Sequence, residues 1–413
     1  MGEILFIAHR IPFPPDRGDK IRSWNMVRKL DGIAPVHIAA FADDERDMAH
    51  APALSEVAAS HRIVLRDRNR PLAAMRGLLR GQPLSVALFD HPELRAYVDK
   101  VLAERPISAI FAFSCQVAQY VPERLDGIRF VMDFVDVDSA KYAAYGQSQR
   151  GPMGWVNRRE GRKLLALERQ VAARADASLF VSEAEAALFR DASGLGADRV
   201  LAVDNGVDLA FFNPAAGFEP LTPAERGAGP LLVFTGQMDY RPNIEAVDGF
   251  ARHSFAQVRR RHPDARFAIV GRNPSPAVRG LASLPGVIVT GGVPDVRGWL
   301  AAADVVVAPL RLARGVQNKV LEAMAMARPV VASPQAAEGI DAVAGRDLLV
   351  AGTDGDEAAA VLDLLADRDA AGCLGRAART RVEARYSWDA TLAMLPDIVR
   401  GVEQPIQKKR QSA

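Results

Sequence analysis

Val305-Val-Val-Ala-Pro-Leu-Arg-Leu-Ala-Arg-Gly-Val-Gln-Asn-Lys-Val-Leu-Glu-Ala-Met-Ala-Met-Ala-Arg-Pro-Val-Val-Ala332 runs from an apolar segment through a loop into a helical pattern, then into a second apolar segment. A short apolar run without polar alternation suits a strand buried on both faces. A helix between two such strands is the crossover of a parallel sheet.

The pattern extends outward. Leu231–Thr235, Phe267–Val270 and Val287–Thr290 precede it as further buried-strand runs, with helical stretches between them. The N-terminal half reads the same way, with Ile4–Ala8, Val36–Phe41, Ala109–Phe113, Phe130–Asp133 and Ser178–Val181 as strands and Ile21–Leu30 as a helix. The turn-rich passage Asn213 to Pro230 is read as the linker. The expected fold is α/β: two Rossmann-like domains facing across a cleft, with ligands at the C-terminal strand ends. The expected boundaries are residues 1–208 and 209–387, a helix of about 388–404 completing the first domain, and a polar tail 405–413.

A chain of 413 residues suits two domains, and 49% hydrophobic with 25% charged residues is ordinary for a globular enzyme. A net charge of +2 argues against nucleic acid as a partner. Cys115 and Cys373 are far apart, without metal-type spacing, and are expected to be core residues in a reducing, cytoplasmic setting. Nothing has the length of a membrane span, but Arg62–Arg80 holds six Arg with an amphipathic pattern, and Arg158, Arg159, Arg162 and Lys163 form a second basic group. Each fits contact with anionic lipid on the inner membrane face, or a solvated basic surface.

In the opening stretch the helix begins near Gln317 or Asn318, which places Lys319 in its first turn. A cation there opposes the helix dipole unless an anion neutralises both, and helix N-termini also present free N–H groups; a diphosphate would satisfy the two together. Glu322 follows by one turn and faces the same side, placed to accept hydrogen bonds from two ribose hydroxyls. The same residues also fit a plain Lys–Glu surface pair.

Glu322-Ala-Met-Ala-Met-Ala-Arg-Pro-Val-Val-Ala332 resembles the helix signature of glycosyltransferase family 4, with Ala327 in place of the usual Gly and Arg314 where the first Glu of the family's pair falls. The resemblance implies a GT-B fold, a nucleoside diphosphate sugar as donor substrate, retention at the anomeric carbon and no required metal. It assigns the ribose to Glu322 and leaves Arg314 for phosphate. Gly315, Asn318 and Lys319 complete a variant similar to the PEP-CTERM/EpsH-associated exopolysaccharide branch. Asn205-Gly-Val-Asp208 is similar to the family's interdomain turn, Gly236 to Asn243 to its diphosphate loop with Arg241 as the cation, and Tyr386-Ser-Trp388 to its closing motif.

On the acceptor side, Gly18 and Asp19 lie in the loop after the first strand, where Gly18 permits close approach of a phosphate or sugar. Asp133, Asp136 and Asp138 end an internal strand and are too many to bury unpaired, so they are expected to line the cleft. Asp136 or Asp138 is the candidate base, strand alternation deciding which points inward. Ser114 stands near the position where many relatives carry a His. The implied acceptor is a hydroxyl of a glycan or lipid-linked molecule. Two alternatives compete: a metal-dependent GT-A transferase using Asp136 and Asp138, and a non-catalytic nucleotide-sugar binder. A dehydrogenase is disfavoured because no Gly-x-Gly-x-x-Gly follows the first strand.

Overall fold

The computed structural model describes residues 2–66, 77–78, 81–149, 151–313 and 315–402. The chain divides into two compact units, one of residues 2–204 with 392–402, the other Asn205–Thr391.

The first unit is a seven-stranded parallel sheet: β1 Glu3–Ala8, β2 Val36–Ala42, β3 Ser60–Leu65, β4 Ile107–Phe113, β5 Arg129–Val135, β6 Ala177–Phe180 and β7 Val200–Ala202. Its order is β3-β2-β1-β4-β5-β6-β7. The centre is apolar on both faces because helices cover both: Ile4 to Ala8 are wholly buried, and Phe6 stacks on Phe111 with centroids 5.6 Å apart. Each such side chain contributes about 1.5–3 kcal/mol on burial.

The second unit repeats the design with β8 Leu231–Thr235, β9 Arg266–Val270, β10 Val287–Gly291, β11 Val305–Ala308, β12 Val330–Ala332 and β13 Leu349–Val350, ordered β10-β9-β8-β11-β12-β13. Its core centres on Phe234, Phe250, Phe255 and Phe267, all essentially without solvent contact. In both units the order reverses once, between β1 and β4 and between β8 and β11. That reversal opens the crevice in which parallel sheets bind ligands.

Several sequence expectations change. Asn213 to Pro230 lies within the second unit, tied down by an Arg226–Asp304 ion pair at 2.8 Å and by Arg297, whose guanidinium carbon lies 5.4 Å from the centre of the Phe218 ring. The Asn205 turn opens that unit. Val207 donates to the Tyr386 carbonyl at 2.6 Å, and any Cβ on Gly206 would meet Trp388 at 2.7 Å, so the two family-like motifs are packed against each other. The closing segment is two short helices, Trp388–Thr391 and Leu395–Arg400, the second anchored to the first unit by Arg129 donating to the Ile398 carbonyl. Cys115 is buried but Cys373 is exposed on the helix Arg368–Arg385. Arg62 belongs to β3 rather than to an amphipathic helix, and most of the remaining Arg62–Arg80 stretch lies outside the described residues.

Candidate active site

In the second unit the crevice between β8 and β11 is lined by the loop from Gly236 and by the helix Asn318–Ala325. That helix begins after Gln317, which supplies no side-chain cap, so among the described residues the first-turn N–H groups have no capping side chain. Lys319 Nζ donates to Asn243 Oδ1 at 2.6 Å and lies 4.8 Å from the centre of the Phe234 ring. Among the described residues Lys319 enters no ion pair, and the Glu322 side chain has neither hydrogen bond nor ion pair. The plain surface pair is therefore not what forms.

Both charges are partly buried. Burial pushes the Lys319 ammonium down to about 8 against the pull of Glu322, and burial pushes the Glu322 carboxyl up to about 7 against Lys319. A cation held over an aromatic ring at an uncapped helix terminus is short of an anion. Thr235 Oγ1 and Asn318 Oδ1 are buried there without hydrogen-bond partners among the described residues. The loop stays close to the sheet because Gly271 has no side chain; a Cβ there would meet the Gly236 carbonyl oxygen at 1.6 Å.

Gly236 and Gly315 lie in the two crevice loops. Arg241 begins the helix Arg241–Gly249, with an exposed side chain paired to Glu245 at 2.7 Å. The residue of that segment that reaches Lys319 is Asn243, whose amide also donates to the Gln237 carbonyl at 2.8 Å. Asn205 lies at the start of the second unit, partly buried, and Arg314 is outside the described residues.

The first unit has its own pocket of ≈ 510 Å³ at the ends of β1, β4 and β5. Of the three carboxylates, Asp133 does not line it: it is fully buried and bonded to the equally buried Arg22 at 2.9 Å. Asp136 and Asp138 both line the pocket. Strand alternation does not choose between them, because β5 ends at Val135 and Asp138 opens the helix Asp138–Ser148. Asp138 accepts from Gln116 Nε2 at 3.1 Å and lies 4.0 Å from Lys141. Asp136 has no hydrogen bond or ion pair to its side chain among the described residues; burial, then repulsion from Glu185, raises it to about 6.

The loop carrying these acids is clamped from behind, Glu185 accepting from the Val137 N–H at 2.8 Å and Glu168 from the Ser139 N–H at 3.0 Å. Its backbone is strained: Val135 at φ 70° and Ser114 at φ 78° both line the pocket, in a region that non-glycine residues avoid. Ser114 Oγ donates to Gln116.

Gly18 is the exposed first residue of the helix Gly18–Asp31. Asp19 faces the pocket beside His9, at 3.3 Å, and Arg10. Burial pushes the Asp19 carboxyl up, but the His9 hydrogen bond and the Arg10 cation outweigh it and hold it well below the usual carboxylate range. His9, stacked on Phe113 at 5.9 Å, supplies the pocket imidazole from just after β1 rather than from the Ser114 position. His9, Arg10 and Asn243 were not singled out in the sequence; each gains its meaning only from a partner distant in the chain.

Residues 229–367 match the family described as Glycosyl transferases group 1. The chain is also 30% identical over 336 residues to the GDP-mannose-dependent alpha-(1-6)-phosphatidylinositol monomannoside mannosyltransferase of Mycobacterium tuberculosis, spanning 77% of this chain and 82% of that protein. The chain belongs to the group 1 glycosyltransferases.

Among solved structures, this glycosyltransferase is similar to the sucrose-phosphate synthase of Thermosynechococcus elongatus, with a TM-score of 0.69 and 20% identity over 97% of this chain and 99% of that one. It is also similar to Anabaena HepE in complex with UDP-glucose, with a TM-score of 0.68 and 14% identity over 97% and 100%. At those identities the likeness is one of fold, the GT-B architecture of two Rossmann-like domains. That fold overturns the GT-A alternative for Asp136 and Asp138. Family membership makes the chain an enzyme rather than a non-catalytic binder.

Proposed function

We propose that the enzyme moves a hexosyl unit from a nucleoside diphosphate sugar to a hydroxyl of a glycan or lipid-linked acceptor in exopolysaccharide or cell-envelope biosynthesis. Transfer proceeds with retention at the anomeric carbon and needs no metal. The observation that carries this reading is Lys319, a partly buried cation over Phe234 at an uncapped helix start, with a hydrogen bond to Asn243 but no ion pair among the described residues.

As the bond from the anomeric carbon to the diphosphate oxygen breaks, charge grows on the leaving group and the fixed ammonium stabilises it. Glu322 accepts the ribose hydroxyls, Asn318 and Gly315 border the phosphates, and Arg314 and Arg241 belong to the same donor side. The acceptor oxygen bonds to the anomeric carbon and its proton passes to Asp136, the pocket carboxylate without a partner among the described residues. The mycobacterial relative is GDP-mannose-dependent by name and the HepE structure holds UDP-glucose, which supports the donor class. The variant helix start supports the PEP-CTERM/EpsH-type branch.

No helix among the described residues is long and apolar enough to cross a membrane. Met153 and Trp155 are more than half exposed near the exposed Arg158, Arg162 and Lys163, which supports peripheral contact with the anionic inner face of the membrane from the cytoplasm.

A thermal-shift titration with UDP, GDP and ADP tests the donor site, since a ligand of the folded state alone raises its melting temperature. One nucleotide is expected to stabilise, most strongly between about pH 7 and about pH 8. Below that window Glu322 takes up a proton and ceases to be a full acceptor; above it Lys319 loses its charge. Absence of stabilisation by all three rejects the reading.

A further inference from the structure

Lys319 is fixed in its crevice by a neutral group. Its Nζ donates to Asn243 Oδ1 at 2.6 Å, although the two residues are 76 positions apart in the chain. Asn243 lies in the first turn of the helix Arg241–Gly249 and is itself buried, with 4% of its surface exposed. Its Nδ2 donates to the Gln237 carbonyl at 2.8 Å, which settles the orientation of the amide: the oxygen faces the ammonium. Its backbone N–H is tied to the Tyr240 carbonyl at 3.0 Å. Gly236 keeps the space for this contact, since a Cβ there would stand 2.8 Å from Asn243 Nδ2 and 3.5 Å from Lys319 Cε.

A carboxylate in the place of this amide would hold the ammonium equally well, but as an ion pair it would cancel the charge offered to a ligand. An amide oxygen holds it without that cancellation, and an ammonium has three donors, of which Asn243 takes one. The carboxylates of the neighbouring segment are engaged elsewhere: Asp239 accepts from Asn273 Nδ2 at 3.4 Å, and Glu245 pairs with Arg241 at 2.7 Å. Glu322, one turn along the same helix, is the charge that acts on Lys319 among the described residues.

Resting on the donor role proposed for Lys319, we propose that Asn243 is a positioning residue of the transferase. It sets the place of the Lys319 ammonium and leaves the charge of that ammonium to the leaving diphosphate. Asn243 acts through Lys319 alone, so its neutrality matters as much as its reach.

Isothermal titration of the full chain with UDP, GDP and ADP, carried on with the nucleotide that binds most tightly, tests this. Asn243→Ala is expected to weaken that nucleotide about tenfold, the order of one hydrogen bond to a charged group. In a Lys319→Ala background the same substitution is expected to cost nothing more, because its effect passes through the ammonium. Asn243→Asp removes the Gln237 bond just as Asn243→Ala does, so the difference between the two reads the group that faces Lys319. The carboxylate is expected to weaken the nucleotide further and to move its loss of affinity at alkaline pH upward from about 8, since an opposite charge holds the proton on Lys319. Should Asn243→Ala fail to fold, that alkaline limb in Asn243→Asp decides alone. Additive losses from Asn243→Ala and Lys319→Ala, or an alkaline limb unmoved in Asn243→Asp, overturn this proposal and leave the donor reading standing. No nucleotide binding by the unmutated chain, or full affinity in Lys319→Ala, overturns the donor reading and this proposal with it.

Discussion

The two units share one strand order but end in opposite chemistry. At the reversal in the second sheet the prominent group is a cation, Lys319, in no ion pair among the described residues. At the reversal in the first sheet the arginines are drawn into carboxylates, and the group without a partner among the described residues is an acid, Asp136. The common topology thus supplies a crevice and nothing more specific. On the proposed reading, what each crevice is prepared for is set by the charge left unanswered in it, an anion in one case and a proton-bearing hydroxyl in the other.

The most severe way to break the comparison is to remove the cationic site. Lys319→Ala and Glu322→Ala are each expected to lower kcat/KM by about a hundredfold or more, since fixed charges at a leaving group carry that order of effect. The circular dichroism spectrum should be unchanged, because both side chains are only partly buried and neither ties elements together through an ion pair. Near-normal turnover in either variant would remove the donor assignment.

On the acid side the expected loss is comparable but has a pH signature. Asp136, raised to about 6, is a base only when ionised, so kcat at saturating donor, where protonation of Glu322 no longer limits nucleotide binding, should fall as pH drops through about 6. Asp136→Asn should lower kcat by roughly a hundredfold or more and abolish that acid limb. Asp138→Asn should keep the limb, because Asp138 is engaged with Gln116. If the limb survives in Asp136→Asn, another group accepts the proton.

The two sites also differed in how far the sequence revealed them. The proposed donor site could be assembled from sequence because Lys319 and Glu322 lie one turn apart on a single helix, within a segment whose strands are apolar on both faces. Central strands read clearly for the same reason. The edge strands β3, β7 and β13 did not: Ser60–Leu65 is half-exposed with His61 and Arg62 inside it, and the other two span three and two residues. The first unit's pocket was only partly legible. Its acids were visible, but the removal of Asp133 by Arg22 depends on a pairing across 111 residues. The approach of Arg10 and Arg66 to a shared Asp43 has no local signature either.

Strain separates the units in a further, smaller way. In the first unit two of the three left-handed non-glycine residues, Ser114 and Val135, line the pocket, the third being Asp126; in the second they are Asn273, after β9, and Ala327, at the far end of the Lys319 helix from the crevice. There Arg328 N–H donates to the Ala323 carbonyl and Ala327 N–H to that of Met324, both at 3.0 Å. This is the helix-ending pattern whose left-handed position usually holds glycine. Ala327 occupies that position at φ 53°. Gly375 of the helix Arg368–Arg385 packs on the same turn, where a Cβ would meet the Ala327 carbonyl oxygen at 2.2 Å. The residue that the family resemblance marks as a departure therefore keeps the backbone that glycine would adopt.

Ala327→Gly relieves about 1–2 kcal/mol of left-handed strain and returns about 0.4–1 kcal/mol through the looser unfolded chain. The net gain is up to about 1.5 kcal/mol, seen as a higher urea midpoint at unchanged slope. Nucleotide affinity should not change, because the strain is remote from Lys319. A gain in stability accompanied by altered affinity would mean that the helix end and the crevice are coupled, and that strain in the second unit, as in the first, belongs to the site.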